Sequence, residues 1–565
     1  MDIRKLVLYL AVALLGVMIW TTWQKDYPPP SVKSEPSAQV SKARTPESFT
    51  PPSYQPGTTQ PVAPTTVKNQ KIPQVATTTG AFITVTTDVL KLKISETGGN
   101  IISTRLLKYP VSLKEKNKLV QIFNDNLQQL YLAQSGITNG VHSGKIKFRS
   151  QQQHYFLQPG QQSLVIHLTG KAPRGLLVTK TYVFKKGKYA IHQNIQITNQ
   201  SSKPWSGSFF RQITQKNDST HSIFSRSYTG AAISSPQKPY EKLSYKNLSE
   251  SNVNRSNVNG WVAFQEPYFL SAWVPQHNEV NHFYSRSYGQ GEKGKGNTFI
   301  LGYVTPRVTA NPGKTISNAS TLYVGPELAK QLSAVAKGLD LTIDYGWLWF
   351  LSKPIFWVMA QIHSVVGNWG WSIVLVTLLI KLIFYPLSAK SFKSMAKMRD
   401  VAPRLQALKE RHGDDKTALG KATMEFYKKE KVNPAGGCLP MLIQIPVFIA
   451  LYYVLIESVQ LRQAPFILWI HDLSIKDPYY VLPVLMGISM FFQQKLSPPP
   501  PDPTQAKMMM LLPVVFTVFF LNFPAGLVLY WLTNNCLTIA QQWYVMKTHD
   551  PKADAAKKKK KKKKK

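Results

Sequence analysis

The sequence has few acidic residues and almost no cysteine. Its 565 residues include 29 Asp and Glu against 68 Lys and Arg, so the formal net charge is +39. With only two cysteines, Cys438 and Cys536, the disulfide framework that stabilises small secreted domains is excluded. Long apolar runs are crowded after residue 345 and are almost missing from residues 24–79. This uneven distribution excludes a single soluble globular domain, and at roughly 100–200 residues per domain the length allows three or four units.

The sequence also lacks the common catalytic motifs. It contains no HExxH, CxxC or GxSxG pattern, which would supply zinc ligands, redox thiols or a nucleophilic serine. Gly313-Lys314-Thr315 resembles the end of a phosphate-binding loop, but Val308 stands where the first glycine is required. We therefore expect no nucleotide hydrolysis, no metal and no other cofactor, and we predict that the protein is not an enzyme.

The first 79 residues divide into an apolar segment and a polar one. Arg4 and Lys5 precede an apolar run, and no small-x-small cleavage site follows it. Residues 1–23 are therefore predicted to form an uncleaved membrane anchor. Residues 24–79 contain 11 prolines and much Ser, Thr and Gln. Such a segment cannot bury enough apolar surface to offset its chain entropy, so we predict a tether.

Residues 80–340 have the pattern of β-structure. The stretch from Leu90 to Ile94 alternates apolar and basic residues and is followed by Gly98-Gly99, and the run from Leu177 to Phe184 ends before Gly187. Short strands separated by turn residues, with no long helical period, are typical of an antiparallel all-β sandwich. A few helical residues near 326–339 are predicted to close this domain.

Residues 341–546 have the pattern of a membrane domain. A helix over 350–365 has one apolar face and nearby tryptophans, which favours a position in the membrane interface. Five apolar runs then predict spans at 366–387, 441–458, 480–492, 508–523 and 527–546. The predicted fold class is an α-helical polytopic membrane protein with six spans, counting the anchor, plus an all-β sandwich.

The basic residues of the short loops predict the orientation. Residues 388–432 contain 12 Lys and Arg and residues 547–565 contain 11, whereas 459–479 contains only Arg462 and Lys476. Because positive loops stay inside, both termini and the 388–432 segment are predicted to be cytoplasmic. Residues 24–340 then lie outside. The predicted sandwich, residues 80–340, has a net charge of +19, but its length exempts it from the rule.

The two predicted cytoplasmic segments differ in structure. Residues 388–432 carry apolar residues near a period of 3.5, which predicts a helical hairpin. These residues are Met395, Met398, Val401, Leu405 and Leu408. Residues 547–565 form a basic tail that ends in nine lysines and is predicted to be disordered. Simple solvation of this tail and contact with ribosomal RNA or anionic lipid are both open interpretations.

Polar residues inside the predicted spans indicate the functional site. Lys381 lies within the 366–387 span, and Thr377 lies one helical turn before it on the same face. An ionisable group at such a position is costly and points to function, although a lysine can also extend its ammonium group to the lipid headgroups. Gln444 begins the next span, and Asn534, Thr538 and Gln541 share one face of the last span.

Together these residues predict a wet pocket that opens to the cytoplasm and to lipid. A channel would need a polar lining across the whole membrane, and a proton-coupled transporter usually needs an acidic residue or histidine inside a span. Neither feature is found, so the polar end of a nascent membrane helix is the favoured guest. A secondary transporter or channel remains the alternative. An intramembrane protease would need a serine beside Lys381, which would act as the base, and Ser372 is too far along the helix to meet it.

Long motifs in the second half carry a family resemblance. They are Lys431-Val432-Asn433-Pro434-Ala435-Gly436-Gly437-Cys438-Leu439-Pro440 followed by Gln444 and Pro446, Leu461-Arg462-Gln463-Ala464-Pro465-Phe466, Trp469-Ile470-His471-Asp472-Leu473, Asp477-Pro478-Tyr479-Tyr480 and Phe523-Pro524-Ala525-Gly526-Leu527-Val528-Leu529-Tyr530. In these motifs, which cover about residues 345–546, the chain resembles the YidC family of membrane protein insertases. The preceding layout resembles the Gram-negative branch, with an anchor, a tether and a large periplasmic sandwich.

The resemblance implies an insertase and chaperone of the bacterial inner membrane. It implies nascent membrane proteins, the Sec translocon, the ribosome and the lipid bilayer as partners, and no DNA. A hydrophilic groove with one positive charge is expected at Lys381, where the family normally has arginine. Thr377, and Tyr530 or Trp531 on the last span, match family positions that line or contact the groove. The hairpin matches a region that the family needs for activity, and basic tails bind ribosomes in some members.

Overall fold

The structure is a computed structural model. It describes residues 80–138, 146–217, 227–276, 278–289, 291, 294–412, 415–430, 439–496 and 503–548. The predicted anchor and tether, the motif over 431–438 and all but the first two residues of the basic tail lie outside the described residues.

Twenty strands in the described part of the chain form two sheets. The first sheet contains β1 (Phe82–Thr86), β2 (Leu90–Ser95), β3 (Ile101–Pro110), β4 (Leu119–Gln121), β5 (Tyr131–Thr138), β7 (His154–Phe156), β11 (Trp205–Lys216), β14 (Asn254–Val258), β17 (Val280–Tyr288), β18 (Thr298–Val304) and β19 (Val308–Ala310). The second contains β6 (Phe148–Arg149), β8 (Ser163–Ala172), β9 (Leu176–Lys185), β10 (Ala190–Asn199), β12 (Gly230–Ile233), β13 (Glu241–Leu243), β15 (Val262–Glu266), β16 (Phe269–Pro275) and β20 (Thr315–Pro326).

Neighbouring strands in the sheets are antiparallel, except that β1 and β7 pair in parallel. The first sheet has the order β14-β17-β18-β11-β5-β3-β2-β1-β7, with β19 beside β11 and β4 beside β3. The second has the order β13-β12-β15-β16-β20-β10-β9-β8-β6. Strands distant in sequence are therefore neighbours in both sheets.

Alternating burial along the strands makes the sandwich core. In β2, Leu90 and Leu92 are buried while Lys91 and Lys93 are exposed, as the sequence pattern predicts. The sheets also share polar contacts, because Trp273 Nε1 of β16 donates a hydrogen bond to the backbone oxygen of Gln212 in β11 at 3.2 Å. The predicted all-β sandwich is confirmed.

Ten α-helices lie in the described residues, eight of them after the sandwich. They are α1 (Tyr245–Glu250), α2 (Ala329–Val335), α3 (Trp349–Val366), α4 (Trp369–Ile383), α5 (Tyr385–His412), α6 (Lys416–Glu430), α7 (Leu439–Glu457), α8 (Val481–Leu496), α9 (Pro503–Phe520) and α10 (Ala525–Lys547). Short 3-10 helices occupy Leu339–Thr342, Gly346–Leu348 and Val459–Leu461. The C-terminal region is therefore helical, as expected.

The apolar run predicted as one span over 366–387 contains a helix end. Helix α4 ends at Ile383 and α5 begins at Tyr385, and the two helices are bent by 68°. Pro386 explains the break, because proline has no backbone N–H and disfavours helical backbone in the residue before it. Lys381 consequently lies in the last turn of α4, whereas the sequence pattern predicts it about 9 Å of helix rise from the end of the span.

The described helices are limited in length or in apolar character. No single one is long and apolar enough to cross a membrane by itself. The bent pair of α4 and α5 meets both requirements together, by length and composition only.

The two helices of the predicted hairpin pack against each other. Val401 and Leu405 of α5 and Tyr427 of α6 are buried. Arg404 of α5 also lies 2.8 Å from the Glu430 carboxylate at the end of α6. Because the Arg404 side chain is mostly exposed, this pair contributes little, and the apolar contacts stabilise the hairpin.

The α7–α8 loop, residues 458–480, connects the sandwich to the helices. Arg462 Nη2 donates to the backbone oxygens of Pro110 and Val111, at 2.9 Å each, and Gln463 Nε2 donates to the Pro110 oxygen at 3.0 Å. The Arg462 guanidinium also lies over the ring of Phe269 in β16. These contacts fix the end of β3 against the loop.

Candidate functional site

An open pocket of about 450 Å³ lies among α4, α5, α7 and α10. Its lining residues are Thr377, Ile380, Lys381, Phe384, Leu387, Ser388, Gln444, Val447, Tyr530 and Asn534. Five of the seven residues that the sequence proposed for the groove are in this lining. The lining contains one charged side chain, Lys381, and no carboxylate.

Helical spacing brings the polar residues together. Thr377 and Lys381 are four residues apart on α4. Tyr530, Asn534 and Thr538 follow one another at four-residue intervals on α10. Residues four apart lie one above the other on a helix, so each helix presents a continuous stripe. The packing of α10 against α4 then places the two stripes face to face.

Lys381 is bound to a neutral partner. Its Nζ donates a hydrogen bond to Thr538 Oγ1 at 2.7 Å, and Thr538 Oγ1 donates to the backbone oxygen of Asn534 at 2.6 Å. No described carboxylate forms an ion pair with Lys381. Its position in the last turn of α4 also places the ammonium group near the negative end of the helix dipole. The pocket therefore holds a cation without an anionic partner among the described residues.

The other predicted groove residues have different roles. Thr377 is buried, and its Oγ1 donates to the Ile373 backbone oxygen of its own helix at 2.6 Å. Gln444 is half-buried and lines the side of the pocket formed by α7. Trp531 is not in the lining. It packs in an aromatic cluster instead, with ring centroids 4.7 Å from Phe448 and 5.3 Å from Phe520.

Some polar residues near the pocket were missed by the sequence reasoning. Ser388 lines the pocket from the first turn of α5, although the sequence assigned it to the cytoplasmic hairpin. Asn535 Nδ2 donates to Ser489 Oγ at 2.9 Å and thereby joins α10 to α8. Ser489 lies inside the predicted 480–492 span, so a search for every polar residue in that span would have found it.

The polar stripe of α10 continues beyond Thr538. The side-chain nitrogen and oxygen of Gln541 are buried, and so is Nε2 of Gln542. Within the described part of the chain these three atoms have no hydrogen-bond partner. Buried amides are normally satisfied, so this end of α10 is a place for water or for a polar guest.

The fold and the pocket together define a class of protein. A β-sandwich precedes a bundle of apolar helices, and the bundle holds one cation at a polar pocket near a helix end. The class is therefore a two-part protein, in which a β-sandwich is followed by a helical domain whose bent pair of α4 and α5 has the length and composition of a membrane span.

Comparisons with known proteins identify the family. The profile of the 60Kd inner membrane protein family matches residues 361–553, and that of the YidC periplasmic domain matches residues 82–358. Membrane protein insertase YidC of Coxiella burnetii (strain Dugway 5J108-111) is 53% identical over 561 residues, covering 97% of each chain. The protein of the same name from Legionella pneumophila (strain Corby) is 46% identical over 565 residues, covering 99% of each. The chain belongs to the YidC family.

A solved structure of an active YidC insertase, with its first transmembrane domain resolved, is also similar to this chain. The identity is 18%, the TM-score is 0.38, and the match covers 82% of this chain and 93% of that one.

Proposed function

We propose that the protein inserts other membrane proteins into the bacterial inner membrane and assists their folding and assembly. It does so alone or beside the Sec translocon, without covalent chemistry. The observation that carries this proposal is the Lys381 ammonium group in an open pocket whose lining has no carboxylate. Membership of a family whose relatives are named insertases supports it, and that family is not enzymatic.

The pocket lowers the cost of moving a polar tail part-way across the membrane. A charged side chain at the centre of a bilayer costs about 2.5–3.5 kcal/mol on insertion scales. Lys381 attracts an acidic tail, while Asn534 and Gln444 offer it hydrogen bonds in place of water. The apolar part of the substrate then leaves sideways into lipid. The family arginine would bind a carboxylate in a two-pronged geometry, so the lysine here attracts the tail with less directional control.

The proposed topology has six spans, with both termini in the cytoplasm. Residues 1–23 anchor the chain, 24–79 form the periplasmic tether, 80–340 form the periplasmic sandwich, and 341–546 form the membrane domain with the cytoplasmic hairpin at 388–432. The 15 residues of α4 extend over about 22 Å, less than the roughly 30 Å of a hydrocarbon core. Short helices favour local thinning of the bilayer, which shortens the path of the tail.

The aromatic cluster around Trp531 seals the pocket on its periplasmic side. Phe448, Phe516 and Phe520 surround the indole ring, and Tyr530 stacks on Phe448 at 6.2 Å. Large rings packed in this way exclude water from the half of the bundle beyond the pocket. This arrangement suits an insertase, because a groove closed on one side does not leak ions.

Nothing in the described residues favours the other function classes. The pocket lining has no acidic residue or histidine of the kind that couples transport to protons. Ser372 is buried and donates to the backbone oxygen of Asn368 at 2.8 Å, on the same helix as Lys381.

The cytoplasmic hairpin and the basic tail are proposed to contact the ribosome, and the bilayer is the remaining partner.

Insertion in a purified system tests this function. Proteoliposomes that contain the full chain are given a single-span protein with an acidic tail, and no nucleotide is added. We expect the tail to become protected from protease, because it crosses into the lumen. Empty liposomes are the control, together with a substrate in which the tail carboxylates are amides. Equal protection with and without the protein would reject insertion and favour transport.

Replacing Thr538 with valine is expected to weaken insertion about two- to tenfold, because the Lys381 ammonium group loses one of its acceptors and a typical hydrogen bond contributes about 0.5–1.5 kcal/mol. Valine has the shape of threonine but cannot accept the hydrogen bond from Lys381. Protease protection of the acidic tail is the measurement. Thr517→Val on α9 is the matched control, since the Thr517 hydroxyl donates only to the Pro513 oxygen of its own helix. Equal losses in both variants would mean that Thr538 has no special role.

A further inference from the structure

The α7–α8 loop is tightly braced although it contains little regular structure. Within it, Leu473 N donates to the Ala464 oxygen at 3.0 Å, and Phe466 N donates to the Ile470 oxygen at 2.9 Å. Ala525 N at the start of α10 donates to the Ile475 oxygen at 2.7 Å. These bonds satisfy backbone groups that would otherwise require water, so the loop is suited to a surface with limited water.

Both carboxylates of the loop are turned inward. Asp472 Oδ1 accepts hydrogen bonds from Gln463 N and from Ser474 N and Oγ. Asp477 accepts from Trp469 Nε1 and Tyr479 N through Oδ1, and from Leu482 N, at the start of α8, through Oδ2. Both aspartates are buried. The loop therefore presents no negative charge on its outer surface.

The outward side of the loop is apolar instead. Its exposed large side chains are Ile467, Leu468, Ile475, Tyr479 and Tyr480. Leu468 is 73% exposed and Tyr479 is 70% exposed. Leu468 also has a φ of 53°, a left-handed conformation that is uncommon for residues other than glycine. A strained and exposed leucine contributes nothing to the packing of the protein itself, which points to a partner outside the chain.

The charge on this surface is positive. Lys476 is exposed, and its Nζ lies 3.3 Å from the hydroxyl of Tyr480. Tyrosine beside lysine at the edge of an apolar patch is typical of a membrane interface, where the ring enters the headgroup layer and the ammonium group meets phosphate. An anionic lipid surface is complementary to this arrangement.

The patch is continuous with the exposed faces of the neighbouring helices. Tyr480, the residue before α8, and Val484 and Ile488 within α8 are four residues apart, and all three are exposed. On α4, Trp371 is exposed and lies 5.5 Å from Phe466 of the loop, measured between ring centroids. Because α4 and α8 have only 15 and 16 residues, they extend over about 22–24 Å, and the roughly 30 Å of hydrocarbon leaves a gap beyond their ends.

We propose that the α7–α8 loop is a second membrane-interfacial element, which inserts Leu468 and Tyr479 into the outer leaflet at its headgroup boundary. The inference rests on the topology given under the proposed function. The occupant of the patch is lipid, because the patch extends the lipid-facing surfaces of α4 and α8. The loop thereby sets the depth of the bundle and covers the outer ends of helices that are too short to reach the headgroups.

Site-directed fluorescence in vesicles tests this proposal. The full chain, with Cys438→Ser and Cys536→Ser, receives one cysteine at a time by Leu468→Cys, Tyr479→Cys or Val258→Cys. Each cysteine carries an environment-sensitive nitrobenzoxadiazole label, and the vesicles contain phosphatidylcholine and phosphatidylglycerol. Val258 is the matched control, since it is an exposed apolar residue of the sandwich. Quenching is measured with aqueous iodide and with lipids that carry a nitroxide at carbon 5 or carbon 12.

We expect iodide to quench the labels at 468 and 479 about fourfold less than the label at 258, because interfacial side chains are buried about 5–10 Å into the headgroup and acyl boundary. Carbon-5 nitroxide should quench them more than carbon-12 nitroxide. Equal iodide quenching at all three positions would overturn the proposal. So would protection from iodide without quenching by either lipid, because another surface of protein would then cover the patch.

A fourth label distinguishes this proposal from the topology on which it rests. Met424→Cys places the label on α6, in the proposed cytoplasmic hairpin, where Met424 is exposed. In vesicles that hold the sandwich outside, external iodide should reach the label at 258 but not the label at 424. If it reaches both, the topology fails whatever the label at 468 shows. If external iodide reaches the label at 258 but not the label at 424, and also quenches the label at 468 fully, only the loop proposal fails.

Discussion

Lys381→Ala is expected to reduce insertion of a substrate with an acidic tail roughly tenfold or more, because hydrogen bonds to charged groups contribute about 1.5–3 kcal/mol. Lys381→Arg should keep most of the activity, and Lys381→Glu should remove it by repelling the tail. The measurement is protease protection of the tail in proteoliposomes without nucleotide. Lys393→Ala is the matched control, since it removes one exposed cation from α5 outside the pocket lining.

The charge of the substrate separates the two explanations for Lys381. If the ammonium group attracts the tail, the Lys381→Ala defect should disappear with a substrate whose tail carboxylates are amides. If Lys381→Ala inserts both substrates as well as the wild type does, the lysine side chain only extends to the lipid headgroups. Insertion would then depend on local thinning of the bilayer. Labelling of a cysteine at position 381 should succeed from the cytoplasmic side only. Labelling from the periplasmic side would contradict a groove that is closed outside.

Local periodicity was sufficient to predict which side chains share a helix face near the pocket. The four-residue spacing of Thr377 and Lys381, and of Tyr530, Asn534 and Thr538, determines which side chains share a helix face. A lysine in an apolar run is rare enough to attract attention by itself. The alternation in β2 determines the buried face of that strand in the same way.

Contacts between distant parts of the chain could not be predicted in this way. Lys381 and Thr538 are 157 residues apart, and nothing in either segment specifies that hydrogen bond. Likewise, β11 lies between β18 and β5 in the first sheet, an order decided by packing of the whole sandwich. Pro386 is visible in the sequence, but the apolar run continues to Leu387 and predicts one helix where the structure has two.

The junction between the sandwich and the helices contains a buried carboxyl group. Glu327 follows β20 and is buried, and Gln265 Nε2 donates to its Oε1 at 3.0 Å. Burial raises the pKa of Glu327 well above its usual value, against the opposing effect of the Gln265 hydrogen bond. The nearby carboxylates of Glu457 and Asp344 raise this pKa further. At pH values between the unfolded and the folded pKa, the folded protein therefore retains a proton that the unfolded chain releases.

Glu327→Gln is expected to stabilise the sandwich by about 1–3 kcal/mol above neutral pH, the usual cost of a buried polar group without adequate partners. Because the folded-state pKa is raised, the wild type loses stability as pH rises from the unfolded value of about 4.5 towards the folded value. Glutamine can still accept the bond from Gln265, but it cannot ionise. Its advantage should therefore grow over this pH range and vanish below it.

Urea unfolding of the full chain, followed by the loss of β-sheet circular dichroism, measures this difference at pH 4 and pH 8. Glu250→Gln is the control, because Glu250 is exposed at the end of α1 and its charge stays in water in both states. A gain from Glu327→Gln that is equal at the two pH values would contradict the proposed ionisation, since an amide that simply packs better does not depend on pH. A loss at both values would mean that Glu327 makes a bond as a proton donor that glutamine cannot replace. A gain confined to pH 8 would confirm that ionisation of Glu327 costs stability in the wild type.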